Sequence, residues 1–163
     1  DVAVRVEMLA GDYEAAEQEA RTAYAVLEER GDRTFQASEA HLVAGSLEAQ
    51  GRIEDAEAWL AVGESLGELV PEDESSALLA RIMARRGRLE EAEELARCAL
   101  EAAGDPPVPL FGDARMALAE ILSRTDRPEE ARREAETCLR RYEAKGIAPL
   151  IDRTRAFLAA LPT

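Results

Sequence analysis

The chain is poor in most of what active sites are built from. It holds one histidine, His41, and two cysteines, Cys98 and Cys138, in 163 residues. A metal cluster or a Ser-His-Asp relay needs several such side chains brought together, and a single histidine cannot supply them. The cysteines are too distant in sequence to form a local metal or redox pair, so both are expected as buried small hydrophobes. Neither Gly-x-x-x-x-Gly-Lys nor Gly-x-Gly-x-x-Gly occurs, so a glycine-rich phosphate cradle is missing. These gaps argue against an enzyme and against a cofactor or metal. Aromatic residues are 4% of the chain and β-branched residues are sparse, which leaves little material for sheets. No uncharged apolar run approaches the ~18 residues of a membrane-spanning helix. Lys145 is the single lysine among 20 basic residues, a skew towards arginine that fits a GC-rich, bacterial source.

Acid and alanine are what the chain has in abundance. Against 20 basic side chains stand 34 acidic ones, giving a net charge of −14 and an isoelectric point near 4.6. Phosphate recognition rests on clustered Lys and Arg, so nucleic acid is excluded as the main partner. Hydrophobic residues are 47% of the chain, and a domain of this length buries roughly 70% of its unfolded surface, enough for a core without disulfides. Ala, Glu, Leu and Arg dominate, the vocabulary of helices. The sequence opens on Asp1 rather than methionine, as a processed chain or a piece of a longer polypeptide does. A cytoplasmic setting is expected.

The chain repeats. Gly11-Asp-Tyr-Glu-Ala-Ala16, Gly51-Arg-Ile-Glu-Asp-Ala56, Gly87-Arg-Leu-Glu-Glu-Ala92 and Asp126-Arg-Pro-Glu-Glu-Ala131 align without gaps, at intervals of 40, 36 and 39 residues. Each is a turn former, two residues, a glutamate, one more residue and an alanine. Apolar residues at helical spacing flank every copy, as in Leu89, Ala92, Leu95, Ala96, Ala99 and Leu100. Each motif therefore joins two amphipathic helices. Glycine accepts the left-handed conformation that ends the first, and Glu14, Glu54, Glu90 and Glu129 sit where the second helix's positive dipole end favours a carboxylate. Pro128 fits an early helical position, which has no N–H partner to lose. The predicted helices run near 2–10, 12–30, 34–50, 53–68, 73–86, 89–103, 110–124, 128–145 and 149–160. No internal domain boundary is evident, so residues 1–163 are expected as one domain.

A small residue seven positions before the turn glycine, at Ala44, Ala80 and Ala119, and an alanine five after it, at Ala16, Ala56, Ala92 and Ala131, resemble the tetratricopeptide repeat. Both mark places where paired helices cross closely. The family's large apolar residue two after the turn is matched by Tyr13, Ile53 and Leu89 and lost at Pro128. The resemblance implies an all-α, right-handed superhelical α-solenoid of about four antiparallel helix pairs, closed by a capping helix at about 149–160. The closing proline of the family is absent and the helices exceed a ~34-residue unit. In this the chain is similar to repeat arrays at the C-terminal ends of bacterial multidomain signalling and transcription regulators, which follow an ATPase or nucleotidyl-cyclase module.

The resemblance further implies that first helices line a concave groove. Its candidate residues are His41, Gly45 and Glu48, then Arg81 and Arg85, then Met116, Glu120 and Arg124, with Ser38, Glu74, Ala77 and Asp113 alongside. The three arginines can hold carboxylates bidentately. The paired carboxylates, such as Glu90/Glu91 and Glu93/Glu94, read as solvated faces, with i, i+4 partners in Glu93/Arg97 and Glu136/Arg140. Trp59 reads as a core anchor. The expected role is a non-catalytic scaffold holding a protein or peptide segment, or a neighbouring domain of its own polypeptide, with no membrane. The alternative is a sensor of a small-molecule effector. Val2, Val4, Val6, Met8 and Leu9 form an apolar face on the first helix, and self-association through it is expected.

Overall fold

A computed structural model describes residues 2–67, 72–103 and 114–162. Among these residues the chain is all-α, in nine helices: α1 (Val2–Ala10), α2 (Tyr13–Arg30), α3 (Arg33–Ala49), α4 (Ile53–Ser65), α5 (Glu72–Arg85), α6 (Leu89–Ala103), α7 (Ala114–Leu122), α8 (Pro128–Lys145) and α9 (Ala148–Ala160). Every expected helix is present. The expected end of a helix at 68 and the expected start of a helix at 110 lie outside the described residues. Contacts group into two compact units, Asp1–Ser75 and Ser76–Thr163, and each is taken by itself.

The turns form as their chemistry dictates. Gly51 ends α3 at φ 79°, a value costly for any side chain with a Cβ. Its N–H donates to Glu48 O at 2.9 Å, and that of Arg52 donates to Leu47 O at 2.9 Å, closing the last carbonyls of the helix. Gly87 repeats the arrangement on Ala84 and Met83, with both distances 3.0 Å. Acidic residues occupy the first turn of each following helix: Glu54 and Asp55 in α4, Glu90 and Glu91 in α6, Glu129 and Glu130 in α8.

Small residues bring the helices together. Val4, Ala44, Ala80 and Ala119, seven before each turn, and Ala16, Ala56, Ala92 and Ala131, five after it, have no exposed surface. In the first unit α3 packs against both α2 and α4, and buried Gly63 of α4 lies so near that a Cβ there would stand 3.4 Å from Ala37 O. In the second unit α7 packs against α6 and α8, and α9 closes on α8. Ala77, Ala99 and Ala114, from α5, α6 and α7, share one buried cluster.

Two sequence readings need correction. Cys138 is buried, but Cys98 is exposed. Cys98 stands 11 residues after its turn position and Cys138 stands 12, and one residue is ~100° of helix, enough to move a side chain off the packed face. The true equivalent of Cys138 is buried Ala99. Arg140 donates to Thr137 Oγ1 at 2.9 Å, so the pairing expected with Glu136 is replaced by a hydroxyl one turn back.

Candidate functional site

Two regions carry polar side chains in fixed arrangements: the junctions between successive repeats and the faces of the first helices. The junctions are built alike in both units. In the first, Glu17 of α2 accepts from Arg21 Nε at 2.8 Å, from Gln50 Nε2 at 2.9 Å and from Arg52 Nη1 at 2.9 Å. Arg52, next to the turn glycine, also grips Asp55 through Nε at 2.9 Å and Nη2 at 2.6 Å. In the second unit Glu93 of α6 accepts from Arg97 Nη2 at 2.7 Å and from Arg127 Nη1 at 2.7 and 2.8 Å. Arg127 pairs in turn with both oxygens of Glu130, at 2.6 and 2.7 Å. Each clamp thus uses a glutamate six after one turn and an arginine one after the next. Helical geometry explains the reach, since the turn arginine sits at the end of a first helix beside the preceding repeat's second helix.

These ion pairs shift their carboxylates. Burial alone raises the pKa of Glu17, but hydrogen bonds from Gln50 and Arg21 and the charges of Arg21 and Arg52 outweigh it and hold the group below the ordinary value of 4.5. Glu93 is lowered in the same way, burial being overcome by Arg97 and Arg127. Glu130 is lowered chiefly by its hydrogen bond to Arg127, and Arg127 is raised by the same carboxylates. Reading Glu93 as a solvated carboxylate missed this role. The signal was present in the sequence: Arg52, Arg88 and Arg127 follow the turns, and Glu17, Glu57 and Glu93 precede them at the spacing of the alanine motifs.

The first helices differ between the units. His41, Gly45 and Glu48 are buried, the histidine 7% and the glutamate 4% exposed. This corrects the expectation that they look onto an open groove. From Gln36 to Glu48 only Ser38 escapes full burial, because α3 is flanked by α2 and α4 and Ser46 Oγ lies 3.6 Å from Met8 Sδ of α1. Burial also raises the pKa of Glu39, an effect that the charge of Arg5 offsets in part.

In the second unit the corresponding stripe is open. Arg85, Glu120 and Arg124 are exposed, and Arg81 and Met116 are half-buried. Arg124 Nη1 donates to Ala84 O at 2.6 Å, which ties the end of α7 to the last turn of α5 and fixes that arginine in place. Ala77 is buried, and the side chains of Glu74 and Asp113 lie outside those described. Trp59 is half-buried between α2 and α4, with Tyr24 meeting it edge to face at 5.0 Å and the Arg21 guanidinium 4.7 Å from its centroid. It therefore anchors two repeats to each other rather than one pair internally. Among the described residues no group of three His, Cys, Asp or Glu side chains could hold a metal ion, and no helix is long and apolar enough to cross a membrane.

The tetratricopeptide repeat family model matches residues 38–61, 75–97 and 112–141. Each segment centres on one of the turns at 51, 87 and 126, and the helix pair around Gly11 lies outside them. No curated protein matches the chain. Repeats of this family generally mediate protein–protein interaction or scaffolding and are generally non-catalytic. Three family matches in register with an all-helical fold support a tetratricopeptide-like repeat domain.

Proposed function

We propose that the chain is a protein-binding scaffold whose contact surface is the first-helix face of the second unit. The observation that carries this reading is the contrast between equivalent positions. Gly45, six before its turn, is buried and carries no side chain, whereas Arg81 and Glu120 hold the same position on a more open face. Arg81 and Arg85 on α5, with Met116 and Glu120 on α7 and Arg124 in the turn that follows it, place guanidinium groups around an apolar centre. Guanidinium recognises carboxylates in a planar, two-bond geometry, so the fitting partner is a protein or peptide segment, or a neighbouring domain of the same polypeptide, that presents Asp or Glu beside an apolar residue. Repeat intervals of 36 to 40 residues, longer than a ~34-residue unit, support a place in a bacterial signalling or transcription regulator, a role that would set the chain in the cytoplasm.

Selection from a random peptide display library on the intact chain tests the surface. Enriched peptides are expected to carry Asp or Glu and to be lost on the double variant Arg81→Glu/Arg85→Glu. They should be retained on Glu28→Lys, an exposed position on α2. Peptides indifferent to both arginines would overturn the assignment. The alternative, sensing of a small effector, would show itself in a metabolite screen as a rise in melting temperature that grows with ligand concentration.

A further inference from the structure

The face carried by α5, α7 and the turn after α7 is not uniform along its length. Counted back from the turns at Gly87 and Asp126, its residues fall into three levels: Arg85 and Arg124 two before, Arg81 and Glu120 six before, Ala77 and Met116 ten before. A hydrogen bond sets this register at one end, where Arg124 Nη1 donates to Ala84 O at 2.6 Å, the carbonyl of the peptide bond that leads into Arg85. Both arginines of that level are exposed. The bond to Ala84 O engages one nitrogen of a planar group that carries five N–H donors. Like charges side by side repel, and an anionic group set between them turns the repulsion into two charge-assisted hydrogen bonds. The middle level carries one charge of each sign, and the last is apolar, with Met116 half-buried and Ala77 buried against Ala99 and Ala114.

We infer that this face takes an extended acidic segment of a partner protein in one register. A side-chain carboxylate of the segment lies between Arg85 and Arg124, its backbone passes Arg81 and Glu120, and an apolar side chain four residues from the carboxylate rests on Met116. The inference deepens the reading of the face as a protein-binding surface and rests on it. The spacing follows from the helix: eight residues separate Ala77 from Arg85, ~12 Å along the axis, which about four residues of extended chain span at ~3.3 Å each. Residues four apart in an extended segment also point to the same side. The middle level favours an extended partner over a helical one. Glu120 can accept from a peptide N–H and Arg81 can donate to a peptide C=O, groups that a helix uses up within itself. An acidic side chain at the middle position would instead meet Glu120, so the carboxylate is sorted to the Arg85 end.

A peptide display library with one aspartate and one leucine fixed two, four or seven residues apart, and every other position randomised, tests the register on the intact chain. Enrichment is expected at a spacing of four. Synthetic copies of the enriched peptides, capped at both ends so that only side chains carry charge, should bind Arg85→Ala about tenfold more weakly than the parent, the loss of a charged hydrogen bond. Copies with asparagine in place of the aspartate should bind the parent weakly and be indifferent to Arg85→Ala. Copies with alanine in place of the leucine should be indifferent to Met116→Ser. Enrichment at seven would mean a helical partner and would overturn the register. Equal enrichment at all spacings, or an aspartate uncoupled from Arg85, would overturn it too, while peptides still lost on Arg81→Glu/Arg85→Glu would leave the binding surface standing. No enrichment at any spacing would sink both.

Discussion

The two units share their joints and differ in their first helices. Glu17 with Arg52 and Glu93 with Arg127 are the same clamp at the same offsets, down to the acidic residue that grips the arginine from its own helix, Asp55 in one case and Glu130 in the other. In contrast, α3 is a 17-residue helix enclosed on nearly every side, while α7 is a nine-residue helix with Glu120 and neighbouring Arg124 exposed. Packing devices recur because every repeat faces the same mechanical problem, burial of an apolar stripe that it cannot cover alone. Surface chemistry carries no such constraint and is free to vary. A recognition surface is therefore to be sought where equivalent positions diverge, at Gly45 against Arg81 and Glu120, and not where they agree.

The shared joints are most severely tested in the core. Leu47 and Leu122 stand four before their turns, and both are almost fully buried. Leu47→Ala and Leu122→Ala should each cost ~2–5 kcal/mol, the lost transfer energy plus the cavity left behind. Trp59, the only tryptophan and a member of the first unit, reports the effect of Leu47→Ala by fluorescence during denaturation. Circular dichroism follows Leu122→Ala. A loss below ~1 kcal/mol at either site would mean that the helices close over the cavity and that the two cores are not equally tight.

Turns, helix order and the crossing positions were legible in the sequence because each depends on local chemistry repeated four times. Gly51 and Gly87 stand where an apolar helical pattern stops and take the left-handed turn there, and the position five after each turn shows its constraint by holding alanine all four times. The burial of His41 and Glu48 was not legible. Which flank of a helix is covered depends on neighbours remote in sequence, and a polar residue at a helical spacing reads the same whether it faces solvent or another helix. Cys98 failed for a related reason, since a one-residue offset from Cys138 is invisible to a pattern read loosely and decisive in three dimensions. The clamps lay between these extremes: their residues recur, but only a pairing across ~35 residues shows that they belong together.

Acid should separate the units more gently. Glu17 and Glu93 have pKa values depressed in the folded state, so the unfolded chain takes up their protons first as the pH falls. Their contribution to stability is present above the ordinary carboxylate value of 4.5 and is lost as the pH drops through the folded values. Glu39 acts in the opposite direction. Its raised pKa makes the folded state the better proton acceptor, so acidification relieves part of the burial penalty in the first unit. Thermal melts from neutral pH downwards should show a falling melting temperature, with a flatter profile for Glu17→Gln/Glu93→Gln. A double variant whose profile parallels the parent would show that the clamps do not contribute through their charge.

The smallest effect belongs to the surface where binding is proposed. Arg85 and Glu120 are exposed, and exposed substitutions outside the core usually change stability by no more than ~0.5 kcal/mol. Arg85→Ala and Glu120→Ala should leave the melting temperature within ~2 °C of the parent. Arg124→Met is the informative neighbour, because it removes the 2.6 Å bond to Ala84 O while keeping much of the apolar stem. That carbonyl also accepts from the Gly87 N–H at 3.0 Å, so the variant leaves the helix end capped and loses only the second, longer-range hydrogen bond, whose removal still lowers stability. Arg124→Met is thus expected to melt below Arg85→Ala. Equal melting of the two would make Arg124 one more surface arginine, and the face of α5 and α7 would then lack the fixed donor that distinguishes a recognition surface from a solvated one.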